Sequence, residues 1–237
     1  MELSIVMPVY NEAAVLASSL EEALATVAKA SYPCEILLVD DASQDRSYEI
    51  LKEYQAKHPD KIRVLRHYNN RGIMGALETL FREARGNYVF FNSSDGQFRT
   101  EDVLRMMDVR DSYDLVVGQR REKLYDVRRH VVSWFFNFLP KVIFGVETYD
   151  AGSVKLYHAD VLKIPLISES PFREAERIVR AQKQGFRIGA IPVQHYQRRA
   201  GRATGADWRL LTESVKDLIR CWGSINLFSS APKQIAG

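Results

Sequence analysis

Residues Glu35 to Tyr54 read EILLVDDASQDRSYEILKEY. The run EILLVD is apolar on both faces and ends on Asp40, the first of an acidic pair with Asp41. The polar loop DASQD follows, then a helical pattern carrying Tyr48, Leu51 and Tyr54. A strand with no polar face is a strand covered from both sides, which is the habit of parallel sheets flanked by helices. The same unit recurs on either side. Upstream, LSIVM (Leu3–Met7) leads through Pro-Val-Tyr-Asn-Glu into a helix predicted from about Glu12 to Ala30, with Leu16, Leu20, Leu24 and Val27 at helical spacing. Downstream, IRVLRH (Ile62–His67) is a third strand, and NNRGIMG opens a helix bearing Leu77, Leu80, Phe81 and Ala84. NYVFFN (Asn87–Asn92) is a fourth strand ending at Ser-Ser-Asp-Gly, and DLVVGQ (Asp114–Gln119) a fifth.

Strands alternating with helices predict an α/β fold with a Rossmann-like, mostly parallel central sheet. Ligands in such sheets sit outside the carboxyl ends of the strands. Those ends carry PVYNE, DDASQD, NNRG and NSSDGQ, so the polar site is placed before any relative is considered.

After residue 120 the pattern changes. RREKLYDVRRH is basic, and VVSWFFNFLPKVIFGV (Val131–Val146) is strongly apolar. A strand-like SVKLYH follows, then a helix around Phe172–Gln184, a strand near Arg187–Val193, the loop HYQRRAGRATG and a last helix from about Asp207 to Trp222. The last helix, with Leu210, Leu211, Val215, Leu218, Ile219 and Trp222, is expected to pack into the core. With no repeat or linker, one domain over residues 1–237 is predicted, with a substrate-binding C-terminal portion.

Composition narrows the classes. Hydrophobic residues at 46% and charged residues at 27% supply a large core and exclude a disordered chain. Lys plus Arg number 33 against 30 Asp plus Glu, a balance that does not point to nucleic acid as a partner. The two cysteines, Cys34 and Cys221, match no metal or disulfide spacing, and the N-terminus reads as a strand, so the chain is expected to be cytoplasmic. No stretch reaches the roughly 18 apolar residues of a spanning helix.

Four strand-end patterns carry the chemistry: PVYNE (Pro8–Glu12), VDDASQDRS with Asp45 beyond the acidic pair, NNRGIMGAL (Asn69–Leu77) and SDGQF (Ser94–Phe98). Each alone is a common loop composition, Asp-Gly above all. Together and in this order they resemble glycosyltransferase family 2, of GT-A fold, and especially its polyprenyl-phosphate (dolichol-phosphate mannose synthase-like) branch. The resemblance covers Ser4 to about Trp222. It implies that Pro8, Tyr10, Glu12, Asp40 and Asp41, with Arg71 and Gly72, hold the nucleotide, and that an Asp-x-Asp segment binds a divalent metal, Mg²⁺ or Mn²⁺, on the donor pyrophosphate.

The residue types suit these roles. A strand-end carboxylate accepts from base N–H or ribose hydroxyl groups, and Mg²⁺ is held by one or two carboxylates plus substrate phosphates. Where the family has Asp-x-Asp-x-Gln, this chain reads Ser93-Ser94-Asp95-Gly96-Gln97. The metal set implied is thus Asp95 with Gln97 and Ser93, one charge short, and a non-catalytic nucleotide-sugar-binding homologue is the alternative that Ser93 raises.

In the second half, Arg120 stands where the family often has Gly-Ser-Arg, and Arg129 and Ser133 lie on one helix face before the apolar segment. His195, Arg198 and Arg202 match a family loop that closes on donor and acceptor phosphates. Guanidinium suits phosphate because its planar fork meets oxygens in pairs. Val131–Val146, flanked by Arg128, Arg129 and His130, has the make-up of an interfacial helix, and equally of a buried helix or dimer face. Asp150 and Glu176 are the base candidates if the acceptor is a hydroxyl, or orient arginines if it is a phosphate. A phosphate monoester is already largely dianionic at neutral pH and needs no base.

The expected activity is inverting, metal-assisted hexosyl transfer from a nucleotide-diphosphate sugar (GDP-mannose or UDP-hexose) to a polyprenyl or dolichyl phosphate. It is expected at the cytoplasmic face of the inner membrane, with a separate membrane-anchor protein as a possible partner. A soluble family 2 enzyme acting on a saccharide or protein hydroxyl is the alternative.

Overall fold

The computed structural model describes residues 1–93, 96–120, 138–196 and 208–227. Four strand–helix units and a fifth strand lead off: β1 (Leu3–Val9), α1 (Ala13–Lys29), β2 (Cys34–Asp40), α2 (Ser47–Lys57), β3 (Ile62–Arg66), α3 (Gly72–Glu83), β4 (Tyr88–Phe91), α4 (Asp102–Met107) and β5 (Leu115–Arg120). Then come α5, described over residues 138–144, β6 (Lys155–His158), α6 (Ala159–Leu162), α7 (Arg173–Lys183), β7 (Ile188–Val193) and α8 (Trp208–Leu227).

The strands form one sheet in the order β3-β2-β1-β4-β6-β5-β7. Pairing is parallel throughout except at β6, which runs antiparallel to both β4 and β5. Val9, Asp40 and Arg66 stand side by side in register at the carboxyl edge. Because β6 is reversed, its leading residues, not its trailing ones, arrive at that edge.

Alternation divides the strand residues between two faces. Ile5, Met7, Ile36 and Leu38 pack with Leu16 and Leu20 of α1 and with Val103 and Met106 of α4. Val6, Leu37 and Val39 pack with Ala76, Leu77 and Leu80 of α3. Leu115, Val117 and Tyr157 turn to a further cluster with Phe172, Ile178, Val179, Leu218 and Cys221. Each such side chain contributes roughly 1.5–3 kcal/mol by leaving water, which is why the strands read as unbroken apolar runs.

The short helices α4 and α6 went unpredicted: at six and four residues, neither holds enough turns to show a period. The helix α8 extends to Leu227, past the expected end. Its expected packing into the core holds on one face only. Leu218 and Cys221 are buried, but Ile219 is 63% and Trp222 50% exposed. Leu218 and Cys221 cluster with Ile178 and Val179 of α7.

Candidate functional site

The loops after β1 and β2 are knitted together. Asn11 and Ala42 both adopt left-handed backbone, φ 53° and 60°, which costs about 1–2 kcal/mol for a residue with a Cβ. Local hydrogen bonds hold them there. The Asn11 amide donates to Ser43 Oγ (3.0 Å), and the Asn11 side-chain oxygen accepts from the Gln44 amide (2.8 Å). The Glu12 amide donates to Ser47 Oγ (2.9 Å). Asp45 caps two helices at once, with Oδ2 accepting from the Ala13 amide of α1 (3.0 Å) and Oδ1 from the Ser47 amide of α2 (2.9 Å). Partial burial raises the Asp45 carboxyl, but the Ser47 and Ala13 donors outweigh it and leave its pKa below the ordinary value. Pro8 and Glu12 border this loop, and Tyr10 is 44% exposed at its rim.

Asp40 and Asp41 have different surroundings. Asp40 is fully buried at the end of β2. Its Oδ2 meets Arg66 Nε (3.2 Å) and the Ser43 amide (3.4 Å), while its Oδ1 is buried with no hydrogen-bond partner among the described residues. Arg66 itself lies 4.0 Å over the Tyr48 ring. An orphaned carboxylate oxygen is costly and marks a place where a ligand donor would be welcomed. Asp41 Oδ1, by contrast, is engaged by His67 Nδ1 (2.6 Å) and accepts from the Arg71 amide (2.9 Å). Gly72, φ 69°, then turns the chain into α3, a backbone that suits glycine.

At the end of β4 the predicted metal segment begins. Ser94 and Asp95 lie outside the described residues. Their neighbours gather with residues from beyond β7: Gln97 Nε2 is 3.3 Å from His195 Nε2, the His195 ring is 5.4 Å from Phe98, and the Tyr196 amide donates to the Gln97 carbonyl. Ser93 precedes this cluster, and Asn92 Oδ1, one residue earlier, is buried without a hydrogen-bond partner among the described residues. No group of three His, Cys, Asp or Glu side chains suited to a metal occurs among the described residues. Hydroxyl, amide and imidazole groups beside one carboxylate in sequence are nevertheless a donor set of the oxygen-rich kind that Mg²⁺ and Mn²⁺ accept.

Arg120, at the end of β5, is 6% exposed and clamped by Asp150. Its Nε donates to Asp150 Oδ2 (2.6 Å) and its Nη2 to Asp150 Oδ1, a two-pronged pair. Asp150 reaches the carboxyl edge because it precedes the reversed strand β6. The guanidinium also lies 6.0 Å from the Phe98 ring, which joins β5 to the β4 segment. Glu176 stands elsewhere. It is fully buried on α7, accepts from the Ile167 (3.1 Å) and Ser168 (2.8 Å) amides and pairs with Arg180 Nε, which ties α7 to the preceding loop. Arg129, Ser133, Arg198 and Arg202 lie outside the described residues.

Sequence reasoning missed a charged cluster beneath Asp150. Lys155 is 1% exposed, donates to the Ser153 carbonyl (3.0 Å) and stands 3.5 Å from Glu174 Oε2. Glu174 also receives the Tyr157 hydroxyl and Arg177 Nε (3.4 Å). Burial alone would raise the Glu174 carboxyl, but Arg177, Lys155 and Tyr157 together hold it at about 2. Burial pushes the Lys155 ammonium down from its ordinary value, against the pull of Glu174 and Asp150. Nothing in the spacing of these residues announces the cluster; only the polar lysine inside KLY hints at it.

A mixed sheet with one reversed strand and acidic loops at its carboxyl edge is the architecture of the GT-A glycosyltransferases. Residues 4–164 match the profile of "Glycosyl transferase family 2", and the chain belongs to that family. It is 28% identical over 205 residues to dodecaprenyl-phosphate galacturonate synthase of Rhizobium johnstonii, covering 85% of this chain and 61% of the relative. It is also 28% identical over 221 residues to undecaprenyl-phosphate 4-deoxy-4-formamido-L-arabinose transferase of Edwardsiella ictaluri, covering 92% and 67%. The chain thus spans about two thirds, or less, of the length of these curated relatives.

Among solved structures, glucosyl-3-phosphoglycerate synthase from Mycobacterium tuberculosis, in complex with Mn²⁺, UDP and phosphoglyceric acid, superposes with a TM-score of 0.68 at 16% identity, over 94% of this chain and 78% of the other. A mannosyltransferase from Pyrobaculum calidifontis in complex with GDP-Man and Mn²⁺ gives 0.59 at 16% identity, over 98% and 76%. These likenesses establish the fold.

Proposed function

We propose that the chain transfers a sugar from a nucleotide-diphosphate sugar, UDP- or GDP-linked, to a polyprenyl phosphate, with inversion at C1. The observation that carries this reading is the Arg120–Asp150 clamp. Asp150 and Glu176 are the carboxylates that a hydroxyl acceptor would enlist as base, and each is committed to an arginine. An acceptor that arrives ionised needs neither. The names of the curated relatives, both polyprenyl-phosphate enzymes, support the same acceptor class.

In this reading Asp40 receives a donor of the nucleoside through its open Oδ1, and Tyr10 lies against the base, with Pro8 and Glu12 shaping the loop. Arg71 and Gly72 border the nucleotide at the start of α3. Asp95, with Gln97 and Ser93 in support, would hold Mg²⁺ or Mn²⁺, which when bound neutralises charge on the leaving diphosphate. Arg120 and His195, together with Arg129, Ser133, Arg198 and Arg202, bind the phosphates. An acceptor phosphate oxygen attacks C1 as the C1–O bond to the nucleoside diphosphate breaks, and the bonding pair leaves with the diphosphate.

The exposed Phe138 (44%) and Val142 (63%) of α5, with Lys141 between them, suit contact with a headgroup region at the cytoplasmic membrane face. No helix among the described residues is long and apolar enough to cross a membrane. A separate membrane-anchor protein belongs to this reading as a partner.

The test is a panel of UDP- and GDP-sugars with undecaprenyl phosphate in detergent, or with soluble saccharides, with Mn²⁺ or with EDTA. Lipid-phosphate product, lost in EDTA and reduced roughly a hundredfold or more in Asp95→Asn, is the expected result. Transfer confined to saccharide hydroxyls, abolished by Asp150→Asn, would reverse the acceptor assignment.

A further inference from the structure

We infer that His67 is a positioning residue for the nucleotide site, setting the Arg71–Gly72 loop through a buried Asp41–His67–Thr79 relay. The inference rests on the nucleotide role proposed above for that loop and goes beyond it by assigning residues that touch no substrate. Three elements converge on this imidazole: Asp41 just past β2, His67 just past β3, and Thr79 on α3. All three are buried, at 3%, 8% and 5% exposure.

The bonds have a direction. A carboxylate oxygen only accepts, so the 2.6 Å contact to Asp41 Oδ1 requires a proton on His67 Nδ1. The far nitrogen, Nε2, is held by Thr79 Oγ1 at 2.9 Å, which fixes the plane of the ring. The same Asp41 oxygen then accepts from the Arg71 amide at 2.9 Å. One oxygen therefore serves two donors, and the imidazole decides where that oxygen stands when the loop amide meets it.

Further bonds confine the loop to this geometry. The Asn70 side-chain amide donates to the Asp41 carbonyl (3.2 Å), and Arg71 Nη1 reaches Thr79 Oγ1 (3.4 Å). The loop is thus tied to both ends of the relay, while the Arg71 side chain stays 47% exposed, with Nη2 3.9 Å from Glu78 at the surface. On this account the two acidic residues divide the work. Asp40 keeps an open acceptor for the ligand, and Asp41 acts through Arg71.

The experiment measures binding of UDP and of GDP, each with Mn²⁺, to the whole chain and to His67→Asn, His67→Gln and Thr79→Val, with thermal melts alongside. Asparagine places an amide donor near the Nδ1 position and keeps the Asp41 half of the relay. Glutamine reaches only the Nε2 position and loses that half. His67→Asn is expected to bind the preferred diphosphate within about threefold of wild type, and His67→Gln at least about tenfold more weakly. Thr79→Val, near-isosteric and expected to fold, should weaken binding about two- to fivefold by freeing the ring.

Equal weakening in the two histidine variants, in step with their melting temperatures, overturns the inference, since a merely structural histidine would behave so. Unchanged affinity in Thr79→Val overturns it as well, even if the histidine variants fail to fold. Wild-type chain that binds neither UDP nor GDP overturns the nucleotide reading itself, and the inference with it.

Discussion

The two sides of the site are built from different materials. Around β1, β2 and β3 the loops are held by main-chain amides donating to single side chains: Asp45 to two helix starts, Ser43 and Ser47 to the Asn11 and Glu12 amides, Asp41 to Arg71. Around β5, β6 and α7 the fixing is ionic and buried: Arg120 with Asp150, and Lys155 with Glu174 and Arg177. A hydrogen bond near water is worth about 1 kcal/mol net, because water replaces it when it breaks. A buried charge that loses its partner has no such replacement. The nucleotide side therefore tolerates small losses, while the phosphate side stands or falls as a set.

Substitution tests this contrast most severely at Glu174. Glu174→Gln strands Lys155 and Arg177 and is expected to cost about 3–5 kcal/mol in denaturant unfolding. Acid probes the same group without mutation. Its folded pKa of about 2 lies below the ordinary 4.5, so its contribution is fully present above pH 4.5 and fades as pH falls toward 2. Melting temperature followed over that window should drop in the wild type, and Glu174→Gln should flatten the part of the drop that this carboxylate causes. A variant with the same acid slope as wild type would show that the cluster does not carry its charge as described.

On the other side, Asp45→Ala uncaps α1 and α2 together and is expected to cost only about 2 kcal/mol, near the sum of two ordinary caps. A loss as large as that at Glu174 would erase the distinction between the two sides. The smallest effect is expected at the cysteines. Burial pushes the Cys221 thiol up to about 12 and Cys34 up to about 11, so both stay protonated and shielded. Iodoacetamide at pH 8 should label neither in the folded chain and both after unfolding, as mass spectrometry would show.

The first five strands were legible because each is a short apolar run closed by polar residues, and burial on both faces imposes that pattern. The strand ends likewise put Asp40, Gln97 and Arg120 at one edge of the sheet, while the contact of Gln97 with His195, 98 residues on, did not show in them. Pairings across long sequence distances were not legible. Asp45 announces itself as a loop acid, yet its partner Ala13 lies 32 residues away. His67 reads as the last residue of a strand, and its ties to Asp41 and Thr79 exist only once β2, β3 and α3 are assembled. Glu174 and Arg177 sit in a helix whose pattern alone would send them to solvent; Lys155 and Tyr157 on the facing strand hold them inside. On α8, Ile219 and Trp222 show the opposite error, since periodicity marks an apolar stripe without saying how much of it a neighbour covers.

The four residues of β6 also govern how the chain assembles. In the strand order, β4 and β5 never touch, and Lys155–His158 is wedged between them. Until that wedge is seated, the molecule is two unjoined ribbons, β3-β2-β1-β4 and β5-β7. Closing the seam pairs residues far apart in sequence, Phe91 with Lys155 (64 positions) and Tyr88 with His158 (70 positions). Such distant contacts form late because the intervening loop must first be drawn in. A ribosome that has delivered β1 to β5 has therefore released a half-sheet with an open flank, and the seam can close only after β6 emerges.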